Sequence, residues 1–210
     1  SSSANNRYGS ICMAAIAQAK ALKLNIQSGK RDPNFYYGDA VELTLKELRC
    51  NAEKYNGTKV AFEGVITKNN NSGVYIESYD SETDRYYGIY VYYGYGLSGE
   101  GLDILSVGNL SRIVGSVQYY EAGGTYQVSG LTYRVMKPDD PSNIKKIEDG
   151  HEGAYREINA ADFAAGMVKL TDAEGAEREY RSAELMMDTT VTARGLTVTA
   201  AYTTTSESSS

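Results

Sequence analysis

Five runs of residues in the middle of the chain alternate between apolar and polar positions, with the period of two that β-strands require. The runs are TKVAFEGVITK (58–68), SGVYIES (72–78), YYGIYVYY (86–93), SRIVGSVQYY (111–120) and TYQVSGLTY (125–133). Turn residues separate them, and the EAGG between the last two is typical of a hairpin. The pattern predicts a mostly β unit of five strands.

Short helices are predicted on both sides of these strands. Thr44 and Glu47 have the spacing of a capping box, and Asn159 with Asp162 resembles a second N-terminal cap. Residues 137–153 contain two of the three prolines, which is typical of a domain boundary. We therefore expect an N-terminal segment 1–38, a β domain 39–136, a linker 137–153 and a C-terminal unit 154–210.

The two ends of the chain allow two interpretations. Residues 189–199 weakly repeat residues 58–68, so strands from both ends could pair into a second, partial β unit. This pairing would also allow strand exchange between chains, giving a homo-oligomer or a surface filament. The other interpretation is that MAAIAQAKALKL forms a helix, which its residue propensities favour.

Several motifs in the β domain resemble a known fold. NGTKVAFEGVIT, GVYIES, GIYVYY and LSVGNLSRIVGSVQYYEAGGTYQVSG are similar to OB-fold modules of secreted and cell-surface bacterial proteins, including extracellular nucleases. The resemblance implies a five-stranded barrel whose second and third strands bind an oligonucleotide or oligosaccharide. It also implies an extracellular or cell-surface location. The catalytic residues of such nucleases lie outside the module, so the chain is expected not to be an enzyme.

Composition narrows the expected partners. The net charge of −6 disfavours nucleic acid and anionic membrane surfaces, since both attract Lys and Arg. No apolar run is long enough to predict insertion into a membrane. Cys12 and Cys50 could form one disulfide or remain two small buried thiols.

Tyrosine dominates the predicted ligand surface: the chain has 19 Tyr, 3 Phe and no Trp. The alternation of the second and third strands turns a set of polar-edged side chains to one face, namely Tyr75, Glu77, Tyr79, Tyr86, Tyr90 and Tyr92. The favoured hypothesis is a non-catalytic glycan-binding module, in which the rings stack on sugars and Glu77 binds their hydroxyl groups. Cross-strand packing, base stacking on single-stranded nucleic acid and protein contact are the alternatives.

One acidic turn is a candidate metal site. Asp80, Glu82 and Asp84 are spaced two residues apart, and carboxylates at such offsets can bind calcium. The glycine and final glutamate of an EF-hand loop are missing, so a solvated hairpin turn is the alternative. No other cofactor is predicted, and His151, the only histidine, has no partners in the sequence that would indicate catalysis.

Overall fold

The structure is a computed structural model that describes residues 9–22, 40–172 and 175–201. It contains two compact units, Ser1–Tyr37 and Gly38–Ser210. In the first unit, α1 (Gly9–Ala21) is a helix with exposed apolar side chains such as Ile11 and Met13. The helical interpretation is therefore confirmed for these residues. The proposed pairing of the chain ends also involves residues 1–8 and 202–210, which lie outside the described ones.

The second unit is mostly β. Its elements, in chain order, are β1 (Val41–Glu42), α2 (Leu45–Cys50), β2 (Lys59–Asn69), β3 (Gly73–Asp80), β4 (Arg85–Tyr92), α3 (Glu100–Ile104), β5 (Leu110–Tyr120), β6 (Thr125–Ser129), β7 (Lys145–Glu148), β8 (Arg156–Ile158), α4 (Ala160–Ala165), β9 (Met167–Thr171), β10 (Glu177–Arg181), α5 (Ser182–Leu185) and β11 (Val191–Ala193).

The predicted caps begin two of these helices. The Thr44 hydroxyl accepts a hydrogen bond from the Glu47 amide at 3.1 Å, and the Glu47 carboxylate accepts one from the Thr44 amide at 2.7 Å. This reciprocal pair satisfies two amides that the first turn of α2 leaves without partners. At α4, the side chain of Asn159 accepts from the Ala161 amide at 2.8 Å.

Five strands close into an OB-fold barrel, which confirms the predicted fold class. The order is β2–β3–β4–β6–β5, and β5 pairs back onto β2. All of these pairings are antiparallel except that of β4 with β6, which is parallel and has the single register pair Val91–Val128. The junction of β4 and β6, which completes the barrel, therefore has few backbone hydrogen bonds; we call it the thin junction.

Alternate side chains of the barrel strands fill its interior. Those from β3 and β4 include Val74, Ile76, Ile89 and Val91, which are at most 1% exposed. Leu45 and Leu48 of α2 belong to the same buried cluster. The core thus forms on one side of each strand, as the period-two pattern requires, and the opposite side of β3 and β4 is left for other contacts.

The described residues that follow the barrel strands form five further strands, one of which pairs with the barrel. β7 pairs with β5, while β9 pairs with β10 and β8 with β11. The chain between α5 and β11, residues 186–190, runs over the outer face of the barrel; we call it the strap. Cys12 and Cys50 are free thiols, the first exposed and the second half-buried. Within the described ranges, no helix combines the length and apolarity needed to cross a bilayer.

Candidate functional site

The outer face of β3 and β4 carries the tyrosines that the sequence pattern grouped together. Cross-strand neighbours form four successive rows: Gly73–Tyr92, Tyr75–Tyr90, Glu77–Gly88 and Tyr79–Tyr86. The predicted ligand-binding side chains thus share one face. Their surroundings differ strongly along it, however, because the strap crosses the third row.

One end of the face, which we call the Lys68 half, consists of Lys68, Tyr75, Tyr90 and Tyr92. The Tyr75 and Tyr90 rings have centroids 5.0 Å apart at a tilt of 53°. The Lys68 ammonium lies 5.9 Å from the centroid of the Tyr75 ring, within cation–π range. Tyr92 is 42% exposed, and burial is the main cause that raises the pKa of Tyr75. This half offers aromatic surface beside a positive charge.

A β-bulge brings Lys68 to this position. Ile66 pairs with Ile76, but the register then shifts so that Lys68 pairs with Tyr75. In a regular ladder Lys68 would lie on the same side as buried Ile66, since side chains alternate. The extra residue, Thr67, reverses the side on which Lys68 emerges.

The other end of the face, the Asp84 half, consists of Tyr79, Tyr86, Asp84 and Arg156. The tyrosine rings have centroids 5.2 Å apart, and the Tyr79 hydroxyl donates to Asp84 at 2.8 Å. Arg156 donates to both carboxylate oxygens of Asp84, at 2.8 and 3.1 Å, and this pairing lowers the pKa of Asp84 to about 2. A cavity of about 320 Å³ adjoins this half and extends towards α4 and α5.

The middle of the face is covered. Glu77 is 2% exposed, and its carboxylate accepts from the Thr190 amide at 2.6 Å, the Thr190 hydroxyl at 2.8 Å and the Ala154 amide at 2.7 Å. Opposite Glu77, Gly88 leaves room for the strap: an alanine Cβ there would lie 2.6 Å from the Asp188 carbonyl oxygen. The strap therefore divides the tyrosine face into two halves.

An ion pair fixes the strap at the thin junction between β4 and β6. Arg49, on α2, donates to the carbonyl of Gly88 through Nε at 2.9 Å and Nη2 at 2.6 Å. Its Nη2 also donates to Asp188 at 2.5 Å, and the same carboxylate oxygen accepts from the Tyr90 amide at 3.2 Å. The side chains of Arg49 and Asp188 are only 8% and 11% exposed. Together they satisfy backbone groups of β4 that no neighbouring strand reaches.

The three carboxylates proposed to bind calcium each form an ion pair with a cationic side chain instead of converging on a shared site. Lys46 pairs with Glu82 at 2.9 Å and with Asp80 at 3.4 Å, while Asp84 pairs with Arg156. In the described part of the chain, no cluster of three or more His, Cys, Asp or Glu side chains is suited to hold a metal. Calcium binding stays a prediction, and a ligand there would have to displace these cations.

Comparison with known proteins gives structural likeness alone. No family model matches the chain, and neither does any curated protein. A protein described as an aspartyl-tRNA synthetase from Leishmania major Friedlin is similar to 69% of this chain, with a TM-score of 0.36 and 10% identity. An asparaginyl-tRNA synthetase from Entamoeba histolytica, in complex with asparaginyl-adenylate, is similar to 54%, with a TM-score of 0.33 and 15% identity. The matches span only 28% and 25% of those two chains.

Two expectations drawn from the sequence are wrong. In the glycan hypothesis Glu77 binds sugar hydroxyls, but the strap helps to bury Glu77, and its carboxylate already accepts three hydrogen bonds from Thr190 and Ala154. The net charge was also taken to disfavour a nucleic-acid partner. The structure places the exposed Lys68 beside the Tyr75 ring, on the face that OB folds use for ligands, so the net charge of −6 does not describe the charge of this face.

Other residues that shape this face were not identified from the sequence. Lys68 was missed because alternation alone assigns it to the interior side. Arg49 and Asp188 were missed because they are 139 positions apart along the chain. The one available signal was the similarity of 189–199 to a barrel strand, which pointed to a β role for this segment without showing that its start lies on the tyrosine face.

Proposed function

We propose that this chain is a non-catalytic OB-fold module that binds single-stranded nucleic acid weakly on its Lys68 half. The supporting observation is the Tyr75–Tyr90 ring pair with the Lys68 ammonium beside it, on the second and third barrel strands. OB folds bind oligonucleotides on this face. The proposal rests on this geometry and not on the distant likeness to tRNA synthetases.

The chemistry of the Lys68 half suits an unpaired base and its phosphate. Tyr92 is exposed enough for a base to stack on its ring, and such stacking contributes about 1–3 kcal/mol per base. Tyr95, in the loop after β4, is fully exposed and is a second ring on which a base could stack. Lys68 is exposed and can pair with one phosphate beside the stacked base.

The same features limit the affinity. A single lysine neutralises one phosphate, so the logarithm of the binding constant should fall with the logarithm of salt concentration with a slope of about −0.7. The chain's net charge of −6 opposes the approach of a polyanion. Binding is therefore expected at low ionic strength and with little dependence on base sequence, because every base has a face that can stack.

Fluorescence anisotropy with a labelled oligothymidylate at low ionic strength tests this proposal. Tyr92→Ala should weaken binding about tenfold, which corresponds to about 1.4 kcal/mol of lost stacking. Lys68→Ala should weaken binding and flatten the salt dependence. Tyr120→Ala is the matched control: Tyr120 is 49% exposed, close to the 42% of Tyr92, but lies on β5.

Two results contradict the proposal. One is the absence of binding by the unmodified protein at low ionic strength. The other is an equal loss of affinity in Tyr92→Ala and Tyr120→Ala, which would mean that the oligonucleotide contacts tyrosines without regard to the face they occupy.

A further inference from the structure

We propose that the strap is an internal competitor for the nucleic-acid site, with the Asp188 carboxylate occupying a position that fits a backbone phosphate. This inference rests on the proposed function and extends it. It assigns Arg49 and the Tyr90 amide as an anion-binding site at the junction of β4 and β6. The ligand class is the phosphodiester group of a single-stranded nucleic acid.

The contacts of Asp188 are those of a bound anion. One carboxylate oxygen accepts hydrogen bonds from the Arg49 guanidinium at 2.5 Å and from the Tyr90 amide at 3.2 Å. A charged guanidinium combined with a backbone N–H is a common arrangement for binding phosphate oxygens. The carboxylate therefore stands in for a phosphate oxygen in the observed structure.

The position of this site joins it to the Lys68 half. Tyr90 supplies both the amide that holds Asp188 and the ring that packs on Tyr75. The negative charge of Asp188 is close enough to contribute to the raised pKa of Tyr75, after burial. A strand whose base stacks on these rings would have a neighbouring phosphate within reach of Arg49 once the strap has moved.

The strap also blocks the way along the face. It lies over the Glu77–Gly88 row, between the two tyrosine ring pairs. Its departure would join the Lys68 half to the Asp84 half, giving a longer run of exposed rings. Bases that reach only the Lys68 half in the closed form would then have both halves available.

The strap is held by polar contacts that another anion and water can replace. Asp188 and Thr190 bind through charged or hydrogen-bonding groups, at Arg49 and Glu77 respectively. If the open form is a minor population, the apparent affinity is reduced by that fraction, and a change that favours the open form restores it.

Gly88→Ala tests the inference without altering the strap itself. The new Cβ would lie 2.6 Å from the Asp188 carbonyl oxygen and 3.1 Å from Cγ2 of Thr189, so the strap must move away. Asp188→Ala is the second variant, and it removes the competing carboxylate. Asp140→Ala is the control, because it deletes a carboxylate that pairs with Arg134 at 2.9 Å in a different part of the chain.

Oligothymidylate binding and hydrogen exchange of residues 186–190 are measured for all of these proteins. We expect Gly88→Ala and Asp188→Ala to bind about tenfold more tightly than the unmodified protein, and Asp140→Ala to change affinity less than about twofold. Exchange of the strap amides should speed up in both strap variants and in the unmodified protein when oligonucleotide is added. Faster exchange together with tighter binding supports the inference.

The two proposals fail in different ways. If the unmodified protein binds but the strap variants bind equally well or more weakly, the competitor role is wrong and the proposed function stands. If neither the unmodified protein nor the strap variants bind, the proposed function is wrong and the competitor role falls with it. Equal tightening in Asp140→Ala would show a general effect of net charge and would overturn the inference.

Discussion

Asp188→Ala should destabilise the barrel unit by about 3 kcal/mol through the loss of one nearly buried ion pair. Asp188 and Arg49 are 11% and 8% exposed, so the mutation leaves a guanidinium charge in a poorly hydrated position. Breaking a buried pair from one side costs about 3–5 kcal/mol. The lower end applies here because Arg49 keeps the Gly88 carbonyl at 2.6 Å and the Met187 carbonyl at 3.3 Å as acceptors.

The backbone at residue 188 adds a separate contribution. Asp188 has a φ of 66°, in the left-handed region, which Asp tolerates better than Ala does. Alanine there should cost about 1 kcal/mol beyond the ion pair. Asp188→Gly removes the carboxylate without this penalty, so the difference between the two variants isolates the backbone contribution.

Urea unfolding followed by far-ultraviolet circular dichroism measures these changes. With a denaturant dependence of about 2 kcal/mol per molar, the ion-pair loss of about 3 kcal/mol lowers the midpoint by about 1.5 M in Asp188→Gly, and the combined loss of about 4 kcal/mol lowers it by about 2 M in Asp188→Ala. Arg49→Met and the double variant complete a mutant cycle, for which a coupling energy of about 2 kcal/mol is expected. A coupling energy near zero, or a midpoint shift below about 0.3 M for Asp188→Ala, would show that this pair does not stabilise the junction of β4 and β6.

Three further predictions concern other positions. Glu77→Gln should lower the free energy of unfolding by about 2 kcal/mol, because an amide replaces a carboxylate that accepts three hydrogen bonds; urea unfolding checks this. Arg156→Ala should let the pKa of Asp84 rise from about 2 towards its ordinary 3.8, as read by an NMR titration. The lowered pKa of Asp84 stabilises the fold above pH 3.8, and this contribution disappears as the pH falls through about 2. Arg156→Ala should therefore lose less stability than the unmodified protein between pH 3.8 and 2. An unchanged dependence of stability on pH would argue against the pairing of Asp84 with Arg156. Gly64→Ala should cost about 1–3 kcal/mol in thermal unfolding, since the added Cβ lies 2.8 Å from a side-chain carbon of Ile76; unchanged stability would show that β2 and β3 can separate locally.

The barrel itself could be read from the sequence because its determinants are local. Alternation placed Val74 and Ile76 inside, and the same period placed Tyr75 and Tyr79 outside. The capping box at Thr44 marked the start of α2 because its hydrogen bonds join residues three positions apart. Such signals can be recognised in a sequence because each depends on a few consecutive residues.

The candidate site could be predicted only in part. The tyrosines of β3 and β4 share one face, as their spacing indicated. The outward position of Lys68 was not predicted, because one bulge residue reverses the alternation after Ile66. Nothing in the sequence VITKN marks Thr67 as that extra residue. The position of the strap was not predicted, because its residue Thr190 binds Glu77, which is 113 positions away along the chain.

The local pattern of residues specifies that five strands form, which side of each faces the core, and that tyrosines of β3 and β4 lie on the outer side. The packing of distant segments specifies which part of this outer face remains accessible: the strap covers Glu77, between the two tyrosine pairs, and leaves Tyr92 exposed. These two kinds of information differ in the separation along the chain over which they act. Alternation and capping act between near neighbours in the chain, whereas the pairing of Arg49 with Asp188 exists only after the barrel has brought distant segments together.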